Sequence, residues 1–411
     1  MQTVAQSWLV YRMTGSSLEL GAVGFASQIP VFLMAPVGGV VADRFNRHRV
    51  VIATQTAAMI LAFILSVLTL TNRVTVPEIF VLAALLGVVN AFDIPARQSF
   101  LVDMVGKEDL MNAIALNSSM FNGARVIGPA IAGILVAKIG EGWCFFANSV
   151  SYIAVIVGLL LMKIQCERRW KSDSPLADII EGFHWASRTG PIRMLLLLLG
   201  LVSLVGMPYT VLMPVFAGRV LHGGGAGLAA LLHAKDPGAA RLGVLMGAAG
   251  VGALLGALTL ALRSGIRGLG RLIALSCGGF GASLIVFAVS RNFWLSAVLL
   301  VPVGFCIMLQ MACSNTLIQS MVPDELRGRV MAVYSMMFMG MAPFGALLGG
   351  ALADRLGAPL TVAIGGGASI AGALAFGRKL PVFRGEARRL IIAQAVAGGE
   401  PSEEMTARVV Q

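Results

Sequence analysis

Eleven apolar runs of about 20 residues fill most of this 411-residue chain, and that is the length a helix needs to cross a hydrocarbon layer of ~30 Å. They lie at 18–42, 50–71, 77–101, 110–137, 143–164, 193–217, 241–263, 269–289, 293–320, 329–354 and 358–380. In lipid every backbone N–H and C=O must find its partner within the protein, so repeated runs of this kind predict an all-α membrane protein. Composition agrees: 57% of residues are apolar and only 12% charged, against ~25% charged in soluble domains. A soluble or disordered chain is excluded. The net charge of +11 lies in the gaps between runs, where it sets topology, so no nucleic-acid partner is expected.

Met1 to Arg12 is apolar and aromatic, but at ~1.5 Å per residue it reaches only ~18 Å, short of a span. It reads as the second half of an incomplete first helix, with the natural start expected about 25 residues upstream. A signal peptide fits poorly, for want of a basic start and a small-residue cleavage site. Gln165 to Pro191 is the substantial polar break; within it Leu176, Ile179, Ile180, Phe183 and Trp185 follow Ser174-Pro175 at roughly helical spacing. A short interfacial helix or a solvated connector both fit. Pro381 to Gln411, basic then acidic, reads as a flexible tail. The expected domains are an N-terminal bundle at 1–164, a cytoplasmic linker at 165–192, a C-terminal bundle at 193–380 and a cytoplasmic tail at 381–411.

Basic residues orient the chain. With the gap after the first full run in the cytoplasm, the other side holds only Arg12, Arg73, Lys138, Arg219, Lys235, Arg241, Arg291 and Arg355 of the 31 Lys and Arg. That bias places the linker and tail inside and Leu221 to Arg241 outside. Met104–Gly140 also aligns without a gap on Met321–Gly357, matching Met120-Phe121 with Met337-Phe338 and Gly123, Gly128 and Gly133 with Gly340, Gly345 and Gly350. Two six-helix halves in parallel pseudo-repeat are implied, as in several transporters.

Metal and nucleotide chemistry find no support. His48, His184, His222 and His233 are scattered, no cysteine pair has CxxC spacing, and no GxxxxGK[ST] loop is present. No cofactor and no metal are expected. An intramembrane enzyme would need a nucleophile, base and metal that no motif supplies.

After the first full run stands GVVADRFNRHR, Gly39 to Arg49. This resembles the GxxxDRxGRRR loop of the major facilitator superfamily, with Gly39, Asp43, Arg44, Arg47, His48 and Arg49 in its slots and Asn46 where the family has Gly. Asn is the residue other than Gly that best tolerates a left-handed turn. Asn90 to Gly133 resembles the multidrug and siderophore exporter branch, the group of enterobactin exporters and macrolide-efflux proteins, and the likeness runs to about residue 380. The resemblance implies a major facilitator fold in the cell inner membrane. It implies a cytoplasmic latch in which Asp43 meets the helix opening near Pro323-Asp324-Glu325, beside Arg327 or Arg329, with Asp103 at the same face. It also implies a fifth-helix packing motif at Gly128, Pro129 and Gly133, where small residues let helices approach and slide. Ala353-Asp354-Arg355-Leu356-Gly357 imitates the first loop on the opposite side and reads as repeat ancestry.

Asp93, Arg97 and Arg125 are the charges inside apolar runs, and intramembrane ionisable groups are functional candidates by default. Asp93 lies ~15 Å from the Asp103 level and Arg125 ~22 Å from Leu110. Asn90, Asn117 and Asn122 add amides on the same two helices, and Gln310 and Asn315 are the polar counterparts in the second half. A satisfied salt bridge without a role in transport is the alternative. With both arginines charged and Asp93 ionised, the site keeps one excess positive charge, which suits an anionic or phenolic substrate.

The function expected is secondary export of a small amphipathic molecule, such as a drug, siderophore or metabolite, by proton antiport with alternating access, in a monomer. The alternatives are a lysophospholipid or lipid translocator and a truncated remnant that does not transport.

Overall fold

The computed structural model describes residues 1–105, 109–162, 175–221, 235–263 and 265–397. Among them there is no β-strand, and fifteen helices follow in order. α1 is Gln2–Thr14, α2 Ser17–Arg44, α3 Arg47–Leu70, α4 Val76–Val105, α5 Leu110–Ile139 and α6 Glu141–Leu161. α7 is Pro175–Arg188, α8 Gly190–Val220, α9 Pro237–Ala261, α10 Leu269–Val289 and α11 Phe293–Met321. α12 is Asp324–Met339, α13 Ala342–Leu356, α14 Ala358–Arg378 and α15 Leu380–Ala397.

Ten spans among the described residues are long and apolar enough to cross a membrane, and α5 adds a helix of 30 residues. The apolar runs therefore mark the spans to within a few residues. Polar side chains set several starts by accepting orphan amides: Ser16 from Glu19 at 3.3 Å, Asn46 from Arg49 at 3.1 Å and Asn292 from Leu295 at 3.1 Å. Gly140 at φ 86° joins α5 to α6 and Gly357 at φ 84° joins α13 to α14. A side chain would be strained at either angle.

Three expectations change in detail. The run at 329–354 is two helices, α12 and α13, parted at Gly340 and Met341 where Pro343 begins the second; a proline is tolerated in a first turn and breaks an interior. The run at 193–217 carries two π-helical turns, Val202–Gly206 and Phe216–Val220, around Pro208 and Pro214. The flexible tail expected from Pro381 is corrected over its first part, because α15 is helical to Ala397. Phe383 and Ala387 are buried, with Phe383 against Phe376 at 5.1 Å between ring centroids. Its charges sit on the outer face of an amphipathic helix. The remainder of the tail, the linker before Pro175 and most of Leu221 to Arg241 lie outside the described residues, as does Cys166.

α2 packs on α4 and α13, α3 on α4 and α6, α5 on α9, α9 on α11, and α10 on α11 and α14. Between lipid-immersed helices there is no hydrophobic drive, so close approach of small residues carries the packing. α7, the helix expected after Ser174-Pro175, lies on α12, with Ile180 and Phe183 exposed and Ala186 buried.

Candidate functional site

Asp93 sits in the middle of α4, and its side chain is 4% exposed. One carboxylate oxygen accepts from Thr54 Oγ1 and Gln55 Nε2 on α3, both at 2.8 Å. The other is bound by Arg97, one helical turn on, across Pro95. Three donors thus satisfy a carboxylate that would otherwise be costly to bury. The Arg97 side chain is 60% exposed, so the guanidinium faces open space from a buried anchor. Tyr152 of α6 lies within electrostatic reach of both charges and bonds to Asn148.

The sequence identified Asp93 and Arg97 but not Thr54 and Gln55. The signal was there: Thr54-Gln55-Thr56 interrupts an otherwise apolar run. Asn90 is half-buried and Asn117 exposed. Gln310 is 1% exposed with both amide atoms unpartnered among the described residues, and Asn315 accepts from Gln319. No described bond brings Gln310 or Asn315 to Asp93. The side chains of Asn122 and Arg125 lie outside the described residues.

At one end of the molecule the Gly39–Arg49 loop is knit to its own half. Arg47 Nε donates to the Ala42 carbonyl at 3.2 Å, and its Nη1 pairs with both oxygens of Asp103 at 3.1 and 3.0 Å. His48 stacks on Phe100 at 5.4 Å and places Nε2 2.7 Å from the Leu159 carbonyl, so α2, α3, α4 and α6 meet there. Arg44 and Arg49 are exposed, and an added Cβ at Gly39 would meet nothing within 4 Å. The Asp43 side chain lies outside the described residues. Arg329 pairs with Glu181 of α7 at 2.7 Å, and α7 approaches so closely that a Cβ at Gly182 would lie 2.7 Å from the Arg329 carbonyl oxygen. Arg327 is exposed in the same turn. Glu181 was not singled out in the sequence; it lies in the stretch after Ser174-Pro175 that fits a short interfacial helix or a solvated connector.

At the opposite end the first six helices and the later ones are zipped together. A Cβ on Gly21 of α2 would lie 3.0 Å from the Gly350 Cα of α13, and one on Gly133 of α5 would lie 2.1 Å from the Gly243 Cα of α9. Phe25 and Phe32 meet Phe344, and the Ala137 carbonyl accepts from the Lys235 amide at 2.7 Å. Trp8 of α1 donates to Asp236 at 2.8 Å and Ser16 donates to Asp354 at 3.3 Å, while Arg12 pairs with Glu141 at 3.0 Å within the first six helices. Asp354 thus bonds to the turn that opens α2. Further along, the contact thins to small meetings of α2 with α7 and α12: Leu33 and Val37 of α2 are 65% and 51% exposed, Met120 of α5 is 67% exposed, and a Cβ at Gly123 or Gly128 would meet nothing within 4 Å. Of the expected fifth-helix motif, Gly133 thus lies against α9 while a Cβ at Gly128 would face open space.

Residues 1–398 match the profile of a family described as transmembrane secretion effector. The staphyloferrin A transporter of Staphylococcus aureus is 27% identical over 370 residues, covering 88% of each chain. The multidrug efflux pump Tap of Mycolicibacterium fortuitum is 26% identical, covering 86% of this chain and 85% of its own. The enterobactin exporter EntS of Citrobacter koseri is 25% identical, covering 95% and 89%. Among solved structures, a variant of the nucleoside transporter NupG superposes with a TM-score of 0.73 at 12% identity over 92% of this chain and 94% of its own. The peptide transporter POT gives 0.68 at 15%, over 93% and 91%.

Proposed function

This chain belongs to the transmembrane secretion effector family of the major facilitator superfamily, and from that premise we propose that it exports a small amphipathic molecule, of siderophore or drug type, in exchange for protons. The observation that carries the reading is the pair of a buried Asp93 and an exposed Arg97. The ionised carboxylate anchors Arg97, and the anchored guanidinium presents a positive charge to an anionic or phenolic cargo. Protonation of Asp93 frees Arg97 from its anchor and leaves the site more positive by one charge. Proton and cargo are thereby linked through charge, and exchange requires that Arg97 move relative to Asp93 between the two states. Arg125, Asn90, Asn117 and Asn122 belong to the same two helices and, in this reading, to the same cavity wall, with Gln310 and Asn315 on the facing one.

The asymmetric closure supports alternating access. The zipped end carries Arg12, Lys138, Lys235 and Arg355, the sparsely basic side, and is the outer one. The less closed end carries the Gly39–Arg49 loop and, in this reading, faces the cytoplasm in an inward-open conformation. Rocking of the halves would break the glycine contacts outside and bring Asp43 toward Arg327 and Arg329 inside. The proposed unit is a monomer in the inner membrane.

The test uses proteoliposomes with an imposed pH gradient, and a phenolic drug and an iron-free catecholate siderophore as probes. Wild type accumulates at least one probe in a gradient-dependent way, while Asp93→Asn binds it and loses the dependence. Gradient dependence unchanged in Asp93→Asn would assign coupling elsewhere and leave Asp93 a structural salt bridge.

A further inference from the structure

α10 and α14 run antiparallel in contact: a Cβ at Gly281 would lie 2.4 Å from the Gly366 carbonyl oxygen, and one at Gly278 would lie 3.7 Å from the Ala373 Cβ. Between that crossing and the cytoplasmic ends of the two helices lies a groove of about 530 Å³ on the outer surface of the later helices. Its floor is glycine, at Gly278, Gly279 and Gly377, and its walls include Leu275 and Leu374, which are 62% and 60% exposed. It ends at Arg378. From Ile370 to Arg378 is about 12 Å of helix, the length of much of one acyl chain in a leaflet.

The mouth is basic. Arg378 lines it, Lys379 follows, and Arg271 lies at the same level, since a Cβ on neighbouring Gly270 would lie 3.2 Å from Leu380. All three are exposed. Glu386, the acidic residue of α15, is turned away toward Gly190 of α8. An apolar trough that opens on cations with no acidic partner among the described residues has the chemistry of a phospholipid, and the surplus of positive charge selects one without a cationic headgroup. We propose that this groove is a binding site for an anionic phospholipid of the cytoplasmic leaflet. One acyl chain lies on the glycine floor, and the phosphate rests on Arg378 with Arg271 and Lys379 beside it. Neither α10 nor α14 packs extensively on the first six helices, so the site is separate from the cargo cavity. The lipid would hold the α10–α14 pair as a unit when the halves rock.

The test is native mass spectrometry of the purified full chain, equilibrated with equal amounts of phosphatidylglycerol and phosphatidylcholine of identical acyl chains. Wild type retains phosphatidylglycerol with a preference of at least about tenfold. Arg271→Gln with Arg378→Gln brings the ratio near one, and Arg384→Gln, on α15 and outside the groove, leaves it high. Gly377→Leu fills the trough and displaces the lipid; a Cβ there meets nothing within 4 Å, so the variant folds. Unchanged preference in the double variant, equal loss in Arg384→Gln, or full retention in a folded Gly377→Leu would each overturn the site.

Discussion

The indole Nε1 of Trp8 donates to Asp236 Oδ2 at 2.8 Å, while Oδ1 of the same carboxylate accepts the Gly238 and Ala239 amides at 2.9 and 3.2 Å. One side chain thus caps α9 and ties it to α1. Trp8→Phe removes the tie and keeps the cap. A hydrogen bond to a charged group is worth about 1.5–3 kcal/mol, so the outward-open population should rise by about tenfold or more, with Tm little changed. Asp236→Ala loses the cap as well, a further cost of about 1 kcal/mol, and should lower Tm. Spin-label distances between the outer ends of α1 and α9 check both; an unmoved distribution in Trp8→Phe would make the contact incidental.

Gly133 and Gly128 should part company under mutation. Gly133→Val drives a side chain into the Gly243 backbone and should cost about 1–3 kcal/mol in the closed outer contact, abolishing or severely slowing transport. Gly128→Ala enters open space and should leave the inward-open state and its stability within about 0.5 kcal/mol of wild type. Thermal unfolding in detergent with the transport assay separates them.

Arg97→Gln leaves the Asp93 carboxylate buried without its cation, a change that costs about 3–5 kcal/mol. Adding Asp93→Asn should restore most of the lost stability without restoring gradient-driven transport. Thermal unfolding of the two single variants and the double variant measures the coupling. Additive losses would mean that the two side chains do not interact in the membrane.

The Glu181–Arg329 pair is half-exposed, and a pair of that kind contributes about 0–1 kcal/mol, so Glu181→Gln should shift Tm only slightly. Gly182→Val is different, because its side chain would meet the Arg329 carbonyl. It should lift α7 from α12 and raise the cleavage rate of the linker in limited proteolysis. Equal cleavage in Gly182→Val and wild type would show that α7 does not depend on this contact.

Orientation has a direct check. Lys235→Cys should react with a membrane-impermeant maleimide from outside intact cells, and Glu386→Cys only after the membrane is opened. The reverse pattern would invert the assignment of the zipped end.

The spans were legible because lipid demands long apolar runs whatever the partners, and Asp93 with Arg97 because charges are rare there. What faces Asp93 was not. α3 is apolar nearly all round, so its sequence does not say that Thr54 and Gln55 turn toward α4. α15 was missed for the opposite reason: Arg384, Arg388 and Arg389 read as a solvated segment, while Phe383 and Ala387 recur at the spacing of a buried stripe. The Gly39–Arg49 loop was readable as a motif, yet the Arg47 bond to Asp103 joins residues whose proximity depends on how α3 and α4 cross.

The contacts of Gly21 with Gly350 and of Gly133 with Gly243 carry a mutational consequence. Where backbone lies on backbone, no substitution can tighten the seam, and every side chain added can only pry it apart. Random change at these four positions therefore has one direction, toward a carrier that cannot seal its outer face. A lineage under selection to keep the pathway shut from outside would hold these glycines more strictly than the charges around Asp93, whose loss, on the proposed mechanism, would impair coupling without opening a leak.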